Sequence, residues 1–195
     1  MVGGKDVDAR SGDDESAGVL IRRELRDDVE AIRSVTVAAF RDAPHSAPPV
    51  EPGGDPGEAT LVSWLRGDPA WIPALSLVAI ENGLVVGHVV CTRAHVDDQP
   101  ALGLGPLSVL PDRQRTGVGS ALMHAVLGAA DALDERLVGL VGEPAYYRRF
   151  GFVPAQSTGV TAPQPSWGDY FQVRRLTHDD GPTGRFRYAA PFDSF

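Results

Sequence analysis

The residues whose types and spacing could do chemistry begin with Gln114-Arg115-Thr116-Gly117-Val118-Gly119-Ser120. Two glycines alternating with small or branched residues let the backbone curl. Successive N–H groups are then presented where the first turn of a helix leaves its own donors unpaired. The positive end of the helix dipole acts on the same point, and Arg113 and Arg115 add two full charges beside it, so the turn should attract phosphate. Two familiar phosphate patterns fit poorly. A nucleoside-triphosphate loop ends in Gly-Lys followed by Ser or Thr, and that run is absent. The dinucleotide fingerprint needs Gly or Ala three residues after its second glycine, where this chain has Leu122.

A third pattern, Gln/Arg-x-x-Gly-x-Gly/Ala, is matched in full by Gln114 to Gly119, preceded by Val109-x-Pro111. In this turn the chain resembles the GNAT superfamily of N-acetyltransferases. Tyr146-Tyr147-Arg148-Arg149-Phe150-Gly151-Phe152 follows where that family runs a short helix into Tyr-x-x-x-Gly-Phe. The resemblance extends from Val19 to the C-terminus and is nearest to a bacterial branch carrying Gly-Asp-Pro-Ala-Tyr-Tyr-x-Arg-Phe-Gly-Phe, nearly as Gly142 to Phe152 read here.

The resemblance implies that Gln114, Arg115, Thr116, Gly117, Val118, Gly119 and Ser120 hold the pyrophosphate of acetyl-coenzyme A. It implies that the strand through Leu107, Ser108 and Val109 splays from the strand at 136–141, and that the pantetheine arm lies in the gap like an added strand. No metal is implied. Acetyl transfer to an amine needs a deprotonated nitrogen, a polarised thioester carbonyl and a proton for the leaving thiolate. A phenol with a pKa of about 10 can serve a thiolate whose thiol is near 8.5. Tyr147, four residues before Gly151, stands in the family's acid register, and Tyr146 is one residue off it. The chain departs from many relatives in having no Asn between Leu140 and Ala145, where Glu143-Pro144 stands instead. The base stays unassigned among His88, His95, Cys91 and Glu143; His88 and Cys91, an odd spacing apart, should face opposite sides of their strand.

The elements that must position these groups follow from pattern. The stretch 19–25 reads as a first strand, and Asp27 or Asp28 should cap a helix carrying Val29, Ile32, Val35 and Phe40. The run 42–57 holds Pro44, Pro48, Pro49, Pro52 and Pro56 with Gly53 and Gly54, so it should be an exposed loop with little to pack; the resemblance makes it a candidate lid over the acceptor. A helix resumes over 58–66. Strands at 75–80 and 84–93 should form a hairpin through Asn82-Gly83. The strand at 101–110 feeds the phosphate turn, with Gly103, Gly105 and Pro106 marking a bulge or splay. Strands at 136–141, 170–176 and 185–188 close the list. The expected fold is α/β, a mixed and mostly antiparallel seven-stranded sheet with helices on both faces and splayed central strands.

Length and composition set the outer limits. The 195 residues suit an acidic tail over 1–18 that should be disordered and one domain over 19–195. A formal charge of −8 argues against a nucleic-acid partner, which would need a basic face. The single cysteine, Cys91, can form no internal disulfide, and no apolar run approaches membrane length. The expectation is a cytoplasmic enzyme, monomer or homodimer, that acetylates a primary amine of a small molecule or protein. A module that binds acetyl-coenzyme A without catalysis is the alternative.

Overall fold

The structure, a computed structural model, describes residues 18–176 and 181–194. Of the tail expected over 1–18, all but Gly18 lies outside these residues. The chain order is β1 (Leu20–Arg23), α1 (Val29–Phe40), α2 (Gly57–Arg66), β2 (Trp71–Glu81), β3 (Leu84–Val96) and β4 (Gln99–Val109). It continues with α3 (Val118–Ala132), β5 (Leu137–Val141), α4 (Pro144–Tyr147), β6 (Val153–Pro154), β7 (Val160–Thr161), β8 (Phe171–Arg175) and β9 (Gly184–Arg187). Seven strands run in the order β1-β2-β3-β4-β5-β8-β6, and β9 pairs with β3 and β7 beside that path. All pairings are antiparallel except β4 with β5 and β7 with β9. The two strands beyond the expected seven, β6 and β7, are two residues each and too short to show a period-2 signal.

Alternation along β3 sorts the core into two layers. Val89 and Cys91 pack with Leu122, Met123 and Val126 of α3. Gly87 shares that face, where a Cβ would come within 2.9 Å of the Leu122 side chain, so its bareness lets the helix close on the sheet. On the other face Ile32 of α1 and Val62 of α2 pack on Val78. The hairpin between β2 and β3 turns through Asn82 and Gly83, both at positive φ (51° and 78°), as its sequence predicts.

Asp28 does not cap α1. A 3₁₀ turn, Arg26–Asp28, precedes the helix, and Asp28 reaches backward instead: its carboxylate accepts from Leu25 N at 2.7 Å and from both Arg22 terminal nitrogens at 2.6 and 2.9 Å. The loop at 42–57 is held at more points than its composition implied. Glu58 accepts from Ser46 Oγ (2.8 Å) and Ala47 N (2.6 Å), and Arg33 pairs with Asp55 at 2.5 Å.

A polar group is built into the α1 face. Glu24 Oε2 accepts from Ser76 Oγ at 2.5 Å, the Arg66 guanidinium reaches both Glu24 oxygens at 2.8 and 3.1 Å, and His88 Nε2 lies 2.9 Å from Ser76 Oγ. Complete burial pushes the His88 pKa down, so the ring is neutral, donating Nε2–H to Ser76 while Ser76 donates to Glu24. Burial would raise the Glu24 carboxyl, yet the hydrogen bonds from Arg66 and Ser76, with the His88 ring 3.6 Å away, overcome it and hold its pKa at about 2. A folded-state pKa below the unfolded value stabilises fully above the ordinary carboxylate range and loses that contribution as pH falls through the folded value. Chemical denaturation between pH 7 and pH 2 should therefore show a stability decline from about pH 4.5 downward. Glu24→Gln should lower stability at pH 7 and flatten that decline; an unchanged acid profile would show that Glu24 does not carry it.

Candidate functional site

The site begins where two strands part. β4 and β5 pair in parallel only at Leu102↔Val138 and Gly103↔Gly139, and beyond Gly103 β4 has no described partner on that side. The register of β4 against β3 slips by one residue between Leu104 and Leu107, so Gly105 and Pro106 form a bulge. Pro106 has no N–H to give a ladder, which helps the strands diverge.

The direction of the free backbone groups follows from one hydrogen bond. Leu110 N donates to Val86 O of β3 at 3.0 Å, so residues 108 and 110 face β3 and residues 107 and 109 face the gap. Leu107 and Val109 thus turn their backbone groups to the gap, and both line the cleft beside it. Ser108 is a correction: its backbone faces β3, and its side chain is fully buried on the α1 face, donating to Thr36 Oγ1 at 3.2 Å.

Pro111 stops the strand and opens a 3₁₀ turn, Pro111–Arg113. Arg115 at φ 63° and Gly117 at φ 101° then curl the chain into α3. The helix starts at Val118, with Gly119 already in its first turn. The first helical hydrogen bond runs from Ala121 N to Gly117 O (2.9 Å), leaving the N–H groups of Val118, Gly119 and Ser120 without helical acceptors. Gln114 ties the turn back to the strand by donating from Nε2 to Val109 O at 3.2 Å, and Thr116 Oγ1 donates to Arg113 O at 2.7 Å. The Val118 side chain is buried beneath the turn, so Val118 offers the site its backbone alone.

A cleft of about 600 Å3 opens above these groups, with Leu107, Val109, Gln114, Arg115, Gly117, Gly119 and Ser120 on one side and Ala39, Phe40, Tyr146 and Arg149 on the other. Its cations differ from those expected. Arg113 is turned away and paired with Glu81 and Asp112. Arg149 takes its place, its guanidinium 4.6 Å from the Tyr146 ring centroid and its Nε donating to Tyr146 O at 2.9 Å. The position of Arg149 was unreadable because only the fold of α4 aims it into the cleft.

The two tyrosines divide sharply. Tyr146 lines the cleft together with Ser120, its hydroxyl close over Gly119. A Cβ on Gly119 would stand 2.8 Å from that hydroxyl, so the second glycine of the turn makes room for Tyr146 as well as for a ligand. Tyr147 lies behind, edge-on to Tyr146 at 4.9 Å and to Phe152 at 5.9 Å, with its ring against Gly142 at the end of β5. Burial, and then the neighbouring Tyr146 phenol, push the Tyr147 pKa up, so it stays protonated. Glu143 spends its side chain capping α4, accepting from Ala145 N at 3.2 Å. Of the other base candidates, His88 is sealed in its network, burial pushes the Cys91 thiol far up, and His95 is exposed where β3 pairs with β9, away from this cleft's lining. Among the described residues no cluster of His, Cys, Asp and Glu could hold a metal ion, and no helix is long and apolar enough to cross a membrane.

Residues 73–154 match the acetyltransferase (GNAT) domain family. The chain is similar to the N-acetyltransferase YjhQ of Escherichia coli K12, itself uncharacterised, at 35% identity over 145 residues, covering 72% of this chain and 73% of the relative. It is similar to YhbS of the same strain at 33% identity, over 71% and 84% of the two chains. Among solved structures, the E. coli YhbS complex with CoA superposes with a TM-score of 0.82 at 28% identity, over 95% and 97% of the chains. A GNAT acetyltransferase of Brucella melitensis in complex with acetyl-CoA gives 0.73 at 34% identity, over 91% and 99%.

The geometry of the turn makes a double substitution informative. Gly117→Val and Gly119→Val should each weaken coenzyme binding well over tenfold, or about 1.4 kcal/mol, by calorimetric titration. Gly119→Ala should lose affinity through the Tyr146 hydroxyl, and adding Tyr146→Phe should restore part of it; equal losses in the single and double variants would exclude that clash.

Proposed function

The chain belongs to the GNAT family of N-acetyltransferases, and from that premise we propose that it transfers the acetyl group of acetyl-coenzyme A to a primary amine by direct attack within a ternary complex. One observation carries the reading. The free edge of β4 at Leu107 and Val109 runs without a break into a helix start with three unpaired N–H groups, and both open on one cleft. A cosubstrate with an amide-bearing arm and a pyrophosphate needs that sequence of partners. The solved relatives in complex with CoA and acetyl-CoA support it.

In this reading Gln114 holds the turn's shape, the N–H groups of Val118, Gly119 and Ser120 take phosphate oxygens, and Arg115 and Arg149 neutralise charge at the cleft wall. Thr116 acts through its backbone, since its hydroxyl is engaged with Arg113 O. The thioester supplies the acetyl group. The neutral amine nitrogen bonds to the carbonyl carbon, the carbon–sulfur bond breaks, the thiolate takes the Tyr147 proton, and the amine's surplus proton leaves to water. A gap-facing N–H of β4 is placed to meet the oxygen on which negative charge develops. The raised Tyr147 pKa keeps the proton available at every working pH. Desolvation raises a thiolate's basicity in the same place, so donor and acceptor stay matched.

An acetylation assay over an amine panel tests the transferase reading; acetyl-coenzyme A binding with no turnover on any amine would assign the non-catalytic role. Tyr147→Phe keeps the ring and removes the proton. Turnover should fall about 10²-fold with cosubstrate affinity little changed, because donation matters only as thiolate charge develops. Loss of stability with retained turnover would make Tyr147 a packing residue.

A further inference from the structure

A second and larger cavity, about 970 Å3, opens near the branch of β4 and β5, and its lining shares no residue with the first cleft. Its walls include Trp167, Phe186, Tyr188 and Phe192, with Asp98 and Asp193 also lining it. It exists because the chain does not stop at β8. β9 pairs with the end of β3, and the following 3₁₀ turn, Ala190–Ser194, sets Phe192 against Leu61 and Leu65 of α2. The rings interlock: Tyr188 is 4.6 Å from Phe192, 4.8 Å from Phe186 and 6.3 Å from Trp167, between centroids.

Two of these rings lie on the branch point itself. Phe186 covers Gly139 and Tyr188 covers Gly103, so closely that a Cβ at either glycine would come to 2.6 or 2.5 Å of the ring. Gly103 and Gly139 are the last paired residues before the strands part. Tyr188 is therefore a wall of the large cavity and also a neighbour of the splay's inner end.

We propose that this cavity is the acceptor site, that it takes an amine carried on a flat aromatic body, and that Tyr188 orients the amine nitrogen for attack. The proposal rests on the transferase reading and names its substrate class. Position supports it first. The Tyr188 ring lies on Gly103, the last residue of β4 paired with β5, so this wall of the cavity stands at the inner end of the splay. The donor enters at the other end of β4, over residues 114–120, so the two substrates meet without sharing an entrance.

Chemistry supports it second. Aromatic walls accept a flat apolar body edge-to-face, and ring faces attract an ammonium group. Asp193 is an exposed carboxylate that favours a cation's approach, and Asp98, also exposed, stands 3.9 Å from the Arg187 guanidinium. Arg185 donates to Pro163 O at 3.4 Å and Arg187 to Asp97 O at 2.5 Å, neutral acceptors that hold the side chains without cancelling their charge. An aromatic monoamine uses walls and carboxylates together, whereas a polycation finds only the carboxylates.

The test uses the full chain, CoA and 2-phenylethylamine, with butylamine as the aliphatic comparison. Calorimetric titration of the CoA complex should show 2-phenylethylamine binding at least tenfold tighter than butylamine. Trp167→Ala should weaken that binding at least tenfold, Trp167→Phe should restore most of it, and acetyl-CoA affinity should be unchanged in both. Tyr188→Phe should keep 2-phenylethylamine affinity within about threefold while lowering kcat at least tenfold, a split that loss of packing alone would not give. Should Trp167→Ala fail to fold, nuclear Overhauser contacts between the 2-phenylethylamine ring and Tyr188 and Phe192 of the unaltered protein decide the same point. Equal binding of the two amines, unaltered binding in Trp167→Ala, or absent contacts would overturn the proposal and leave the transferase reading standing. Acetylation of no amine at all would sink that reading, and this proposal with it.

Discussion

The parting of β4 from β5 is the constraint on which the rest depends. Parallel neighbours are expected to satisfy each other's backbone along their length, and these two do so only at Leu102–Gly103 and Val138–Gly139. What lies beyond is backbone that no neighbouring strand pairs among the described residues, with Val109 O taken up by the Gln114 side chain, and it is held open by three local devices. A bulge at Gly105-Pro106 shifts the register and removes a donor. Phe186 and Tyr188 occupy the side-chain space of the two glycines at the apex. The Tyr147 ring fills the space that a side chain at Gly142 would take, at the far end of β5. Each device has a cost in pairing or packing that an ordinary sheet would avoid.

The turn beyond the splay meets α4 as well as its own strand. Gln114 holds it to Val109 O, and the Tyr146 hydroxyl stands where a side chain at Gly119 would be. Arg149 lies over Tyr146 and so depends on the same contact. The motif near residue 117 and the motif near residue 147 are consequently one structural unit, and a change in either displaces the cation that the other presents to the cleft.

Much of this was legible because it rests on local rules. The alternation of β3 put His88 and Cys91 on opposite faces, Asn82-Gly83 marked its hairpin, and Gly105-Pro106 marked the bulge. What could not be read depends on distant partners. Arg113 looked free until Glu81, thirty-two residues away, was found to hold it. Ser108 sits in the right strand, and only the pairing partner of Leu110 tells which way it faces. Asp28 has a capping residue's chemistry but serves Leu25 and Arg22, because a 3₁₀ turn intervenes before α1. The loop at 42–57 looked unanchored since Glu58 and Arg33, which hold it, belong to the helices on either side.

The base question ends in the same physical terms. Three of the four side chains that sequence offered have been drawn into a structural role or sealed: His88 is bonded to Ser76, Cys91 is a buried thiol, and Glu143 caps α4, while His95 is exposed near the end of β3. Glu24 is held ionised by hydrogen bonds from Arg66 and Ser76 and would yield its stabilisation if it accepted a proton. A carboxylate with a pKa of about 2 is too weak a base to take a proton from an ammonium group. Under the proposed transfer, with none of these buried groups able to take its proton, the amine would reach the splay already neutral, and the burden would move to the route of approach. The ring faces of the large cavity would strip part of an amine's hydration, and desolvation lowers an amine's pKa, while Asp97, Asp98 and Asp193 in the same lining act the other way. The balance of aromatic wall against carboxylate along that route, rather than a buried base, would then set how much neutral amine the splay receives.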